Sequence, residues 1–194
     1  MGRLYVIMGK SAVGKDSLYC SLIDRNPTLK TVVPYTTRPI RTGEVEGREY
    51  HFVTVSELET MREQGRIVEC RRYDTVHGPW YYFTADDGQL DFSRDEPYVT
   101  ISTLEGFEKL RAFYGREHVM PVYIEVDDFL RLERAVEREK RQPNPCVAEL
   151  CRRFAADDED FSEERLRLAG VEERIQNHEF EKALKEIEEL ISRG

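Results

Sequence analysis

Long apolar runs are missing from this chain, and their absence sets the first limits. No stretch approaches the roughly 20 consecutive apolar residues that a membrane-spanning helix needs. The first apolar run, Leu4 to Met8, also falls short of a signal-peptide core. Met1-Gly2 opens the chain, but Val6 stands where a myristoylation pattern wants Ser or Thr; the expectation is a cytoplasmic protein. Basic charge is in deficit: 29 Lys plus Arg stand against 38 Asp plus Glu, a formal net charge of −9. That balance argues against a general role on nucleic acid or anionic membranes, so any anion site must be local. Cysteine is sparse, and Cys20, Cys70, Cys146 and Cys151 show no C-x-x-C spacing of the zinc or dithiol kind. They are expected to be reduced filler thiols. His51, His77, His118 and His178 are scattered, with no pair at metal-ligand spacing. Repeats and low-complexity tracts are absent, and 194 residues suffice for one compact domain with a real core.

What is present is a glycine-punctuated stretch, Gly9-Lys10-Ser11-Ala12-Val13-Gly14-Lys15-Asp16-Ser17, between that apolar run and an amphipathic segment containing Leu18, Leu22 and Ile23. A short buried strand, a tight turn and a helix start are the setting a phosphate-binding loop requires. The two glycines let successive N–H groups point inward, and the helix beginning near Lys15 adds its positive dipole end. Lys15 would reach the outer phosphates as a point charge. The pattern wants Ser or Thr after that lysine, and Asp16 stands there instead. A carboxylate about 4 Å from a phosphate charge costs roughly 4 kcal/mol at an effective dielectric of 20, a sign that a bridging magnesium ion reverses. Asp16 is therefore either a metal-side group or an outward-turned helix cap.

Further along, Leu29 to Val33, Arg48 to Val53, Ile67 to Tyr73, Trp80 to Thr84, Pro97 to Ser102 and Val119 to Val126 read as strands. Turn signals stand at Asn26-Pro27 and His77-Gly78-Pro79. Ser56 with Glu59 reads as a capping box for a short helix ending at Gly65. Helices are expected over Leu104 to Tyr114, from Asp127-Asp128 into Arg131 to Arg141, over Val147 to Ala156 and over Glu179 to Ile191, with a last strand at Ile175 to Asn177. The acidic segments Asp157 to Glu164 and Glu179 to Glu189 read as solvated helix faces. Strands alternating with helices behind a phosphate loop predict an α/β fold with three layers and a central parallel sheet. The strand-rich middle breaks that alternation and reads as an inserted lobe. The expected division of the single domain is a core over about 1–33, 85–133 and 160–194, a lobe over 34–84 and a helical lid over 134–159.

The lobe gathers groups suited to an anionic acceptor. Arg38 and Arg41 offer planar forks for phosphate, and Tyr50 and Tyr82 offer hydroxyls. Glu69 accepts paired N–H bonds of the kind a guanine edge provides, and Thr84 supplies a hydroxyl for its O6. In order and spacing, Thr36-Thr37-Arg38, Arg41-Thr42-Gly43-Glu44, Tyr50 to Val53, Glu69 and Tyr81-Tyr82-Phe83-Thr84 resemble the guanylate kinase family, and the likeness runs through nearly the whole chain. It implies a P-loop fold and transfer of the γ-phosphoryl of ATP, with Mg2+, to GMP or dGMP. It also implies GMP binding by Arg38, Arg41, Glu44, Tyr50, Glu69, Tyr82 and Thr84, and ATP binding by residues 9–17 with Arg134. Lys15, Arg138 and Arg153 would neutralise charge on the transferring group, catalysis being alignment and electrostatics with no obligatory side-chain base.

Three positions depart from the family pattern. Pro34 replaces a base-holding serine, Phe83 replaces a glycine and is expected to reshape the pocket wall, and Ile101 and Thr103 replace the carboxylates of a D-I-D strand. The loss of those carboxylates adds a reason for the metal-side role of Asp16, with the outward-turned helix cap standing beside it as the equal alternative. Gly14-Lys15-Asp16-Ser17 also resembles ribose 1,5-bisphosphate phosphokinases, which gives a second candidate acceptor. A non-catalytic protein-binding module of the same fold is the third reading, and retention of Lys15 stands against it.

Overall fold

The computed structural model describes residues 1–41, 43–75 and 78–193. Thr42, in the expected acceptor run, and His77, in the expected turn, lie outside the described residues.

The chain begins with β1 (Arg3–Met8), whose alternate residues face opposite layers. Leu4, Val6 and Met8 pack on Leu104, Phe107 and Leu110 of α3 (Leu104–Tyr114) and on Phe161 and Leu166. Tyr5 and Ile7 pack on Leu18 and Leu22 of α1 (Lys15–Arg25) and on Ala183, Leu184 and Ile187 of α7 (Phe180–Ser192). The strand is thus buried on both faces, which a near-continuous apolar run permits. It lies at the centre of a five-stranded parallel sheet in the order β2 (Lys30–Thr31), β7 (Pro97–Ile101), β1, β8 (Val119–Glu125), β9 (Arg174–Gln176). Leu4 is in register with both Tyr98 and Val119. Helices on both sides of a parallel sheet make the three layers.

A second sheet, β4 (His51–Phe52), β3 (Tyr35–Thr36), β6 (Gly78–Ala85), β5 (Ile67–Thr75), has its own small core of Leu58, Met61, Phe83 and Ala85 under α2 (Val55–Glu63). After β8 come α4 (Asp128–Lys140), α5 (Val147–Asp160) and α6 (Glu163–Leu168).

Local expectations fail where side chains take over main-chain partners. The capping box is Thr54 with Glu57, two residues before the expected pair; Thr54 Oγ1 accepts from Glu57 N, and Glu57 Oε2 accepts from Thr54 N at 2.7 Å. The expected strand over Arg48 to Val53 shrinks to two residues because Glu46 takes the Phe52 N–H at 2.8 Å and residues 45–50 close into a turn. The Leu29 to Val33 strand shortens likewise, with the Gln89 amide bonding both N–H and C=O of Val33 at 2.7 and 3.1 Å. Three of the four free cysteines are exposed, so Cys20, Cys146 and Cys151 fill no core; Cys70 alone is half-buried.

Candidate active site

The turn after β1 is shaped by close approach. At Gly9 a Cβ would lie 2.5 Å from the Ile124 carbonyl oxygen, and at Gly14, with φ +91°, 2.6 Å from Asn177 Nδ2. Ala12 is the one non-glycine residue with positive φ among the described residues, at +67°, a conformation costing about 1–2 kcal/mol for an L-residue. Helix α1 starts on Gly14, which has no side chain to cap it, so the first-turn N–H groups are left for an incoming anion. Asp16 is exposed in that first turn and does not cap the helix, contrary to one of its two expected roles. Lys15 is half-buried and makes no ion pair among the described residues.

Both shoulders of the loop are tied down. Asn177 donates Nδ2–H to the Val13 carbonyl at 2.7 Å, and Arg134 reaches Val13 O at 3.5 Å and Asn177 O at 3.0 Å. On the other shoulder Asp157 of α5 accepts from Ser11 N at 2.9 Å and Ser11 Oγ at 3.2 Å, and Asp158 accepts from Lys10 Nζ at 2.6 Å. The reading of this acidic segment as a solvated face is therefore wrong at its start. Asp157 is only 15 % exposed and is paired with Arg131, whose side chain is wholly buried. Arg131 also bonds Asp128 and Asp158 and lies 3.6 Å from the centre of the Phe154 ring. Of the three expected lid arginines, only Arg134 reaches the loop. Arg138 is exposed on α4, and Arg153 is exposed on α5 and held by Glu149 at 2.8 Å. Bonds from Arg152 and then Arg153 bring the Glu149 carboxyl down to about 2.

The second cluster lies on one face of β5 and β6, where the register sets Glu69 opposite Thr84 and Arg71 opposite Tyr82. Thr84 Oγ1 donates to Glu69 Oε1 at 3.0 Å, and Arg71 donates Nε–H and Nη2–H to the two Glu69 oxygens at 3.1 and 3.3 Å. Tyr82 meets Tyr50 and Tyr73 edge-on at 5.6 and 5.4 Å. Arg38, 4 % exposed, is gripped end-on by both Glu44 oxygens at 2.5 and 2.7 Å and lies over the Tyr50 and Phe52 rings. Its Nη1 also donates to the Pro39 carbonyl at 3.0 Å, and Tyr82 lies beside it. Arg41 is exposed and gives its N–H to Glu44 at 2.8 Å.

Tyr50 packs at the centre of the lobe groups. Burial pushes its phenol up, Tyr82 adds to this, Arg38 and Arg71 oppose it, and the Asp16 carboxylate of the loop helix raises it further. The influence of Asp16 is the least of these, and the ring contacts of Tyr50 are with the lobe residues Arg38, Phe52 and Tyr82. Beside them a cleft of about 290 Å³ lies between β5 and α3, with Arg71, Thr103, Glu105 and Arg165 on its walls. A larger hollow of about 460 Å³ under α6, between Glu163 and Arg174, contains none of these groups.

One expectation is corrected here. Phe83 is fully buried on the opposite face, under α2, and does not line the acceptor wall. Thr103 caps α3, accepting from Gly106 N at 3.1 Å. Arg71, Arg131 and Asp157 were not anticipated. Arg71 was legible as a cation two residues after Glu69 on the same strand face, whereas nothing local marks Arg131 or Asp157.

A three-layer parallel sheet carrying an N–H cradle and an adjoining arginine–tyrosine lobe defines a P-loop nucleotide-binding protein. The sequence profile described as Guanylate kinase matches residues 1–78. A guanylate kinase of Nostoc sp. is 30 % identical over 193 residues, spanning 96 % of this chain and 88 % of that one. One from Pseudomonas fluorescens is 46 % identical over 112 residues, 57 % of this chain and 52 % of that one. The crystal structure of guanylate kinase from Anaplasma phagocytophilum superposes with a TM-score of 0.70 at 19 % identity, covering 99 % of this chain and 85 % of that one, a likeness of fold. The chain belongs to the guanylate kinase family and is an enzyme of that family.

Proposed function

We propose that this enzyme transfers the γ-phosphoryl group of ATP to the phosphate of GMP or dGMP, giving ADP and GDP or dGDP. The observation that carries the reading is the combination of an uncapped N–H cradle at the start of α1 with a lobe that gathers Arg38, Tyr50 and Tyr82 in contact beside the Glu69–Thr84 pair. Two anionic substrates, one on each cluster, would meet end to end. Residues 9–17 and Arg134 hold the ATP phosphates, Lys15 sits over the outer ones, and Arg38, Arg41, Tyr50 and Tyr82 hold the acceptor phosphate. Glu44 fixes Arg38 in place, while Glu69 and Thr84 read the base. Arg138 and Arg153 come into play when the lid, about 134–159, closes over the transferring phosphates. The acceptor phosphate is already anionic near pH 7, so the chain's task is alignment and charge neutralisation.

The residues fit magnesium carried in on nucleotide phosphates. Asp16 offers an exposed first-turn carboxylate, of the kind that holds magnesium together with substrate phosphate oxygens. When bound, the ion would screen phosphate charge and reverse the repulsion between Asp16 and ATP. The cytoplasm, where ATP and nucleoside monophosphates are abundant, is the compartment this chemistry suits.

A coupled ADP-release assay with GMP, dGMP and ribose 1,5-bisphosphate as separate acceptors tests the reading. GMP-dependent release that falls about 100-fold or more on Lys15→Met is expected. Release with the ribose bisphosphate and none with GMP would overturn it.

A further inference from the structure

Ala12 holds a left-handed conformation that glycine adopts freely and alanine does not. Something must hold it there, and the structure shows a tether on each side. Asn177 fixes Val13 from the β9 side. On the other side Ser11 gives both of its donors, N–H and Oγ–H, to one carboxylate, that of Asp157. Asp157 is itself immobilised: Arg131 Nη1 donates to its Oδ2 at 3.0 Å from a wholly buried side chain stacked on Phe154, one turn back on α5. A carboxylate beside an anion-binding loop would ordinarily weaken the site, but Arg131 offsets its charge while leaving both oxygens able to accept from Ser11.

We propose that Asp157 is a positioning residue for the phosphate loop: through Ser11 it holds Ala12 left-handed, so that the loop's N–H groups are set before a nucleotide arrives. This rests on the ATP reading given above. It also makes the loop's shape depend on the seating of α5, since the brace sits on that helix.

The test is a double-mutant cycle on the full chain, with ADP as the titrated ligand in calorimetry. Asp157→Asn is expected to weaken ADP about tenfold, or about 1.4 kcal/mol, comparable to the conformational cost at residue 12. In an Ala12→Gly background, where positive φ carries no steric penalty, the same substitution is expected to cost less than threefold. A tenfold loss that persists in that background, or no loss in either, would overturn the brace alone. No ADP binding by the unaltered chain would overturn the nucleotide reading and the brace with it. Should Asp157→Asn fail to fold, Ser11→Ala withdraws only the hydroxyl donor. It is expected to cost about threefold in the native background and nothing beside Ala12→Gly; equal losses in both would overturn the brace.

Discussion

Glu44 is held by Arg38 through two bonds and by the Arg41 N–H through a third, and it is the Arg38 contact above all that lowers its carboxyl to about 2 from the usual 4.5. Because the folded-state value is depressed, its stabilisation is complete above about pH 4.5 and is lost as the pH falls through 2. Glu44→Gln is expected to remove that acid-sensitive step from the Tyr50 and Tyr82 fluorescence and to cost about 2 kcal/mol in urea at pH 7, since a buried guanidinium loses a charged partner. Equal acid midpoints for the two proteins would contradict this. Arg71 raises a question of selectivity at the same scale. It occupies both oxygens of Glu69, the group expected to accept the two N–H donors of guanine. Arg71→Ala is expected to raise the ratio of kcat/KM for GMP over IMP, which lacks the 2-amino donor, by about tenfold, the worth of one charge-assisted bond. An unchanged ratio would mean that Arg71 gives way when a base binds.

The sequence pattern of helix α5 gives its position in the chain but not its surroundings. Its acidic end suggests solvent, yet Asp157 faces inward because Phe154, one turn earlier, stacks on Arg131 and turns that side of the helix to the loop. Arg131→Met removes the cation and leaves Asp157 unpaired in a nearly closed environment. The expected loss is about 3 kcal/mol in urea, with hydrogen exchange rising first in α5. A neutral outcome would show that Asp128 and Asp158, both about half exposed, had kept the pair dispensable. Strands show the same limit. Side chains such as Glu46 and Gln89 compete for main-chain partners, which shortens β4 and β2 without leaving a trace in hydrophobic periodicity.

For the molecule as a whole, the proposed reaction, with one anionic substrate on each of two clusters on different sheets, predicts that ligands stabilise it through both. ADP and GMP, each at about 100 times its dissociation constant, are each expected to add about 2.7 kcal/mol, raising Tm by roughly 5–10 °C apiece for a chain of this size. A shift with ADP and none with GMP would remove the lobe from the acceptor role.

The sequence alone determined the parallel α/β core and the position of the phosphate loop. There strand, turn and helix are neighbours in the chain, and periodicity and glycine spacing report local geometry directly. It also put Arg38, Tyr50, Glu69, Tyr82 and Thr84 in one lobe. Only the tertiary structure decided which face each lobe residue takes, because the β5–β6 register sets Thr84 against Glu69 and Tyr82 against Arg71 and turns Phe83 under α2. Only it brought Asp157 to Ser11 across 146 positions, since such a contact depends on how helices seat against the sheet, and that is fixed by packing rather than by any nearby pattern.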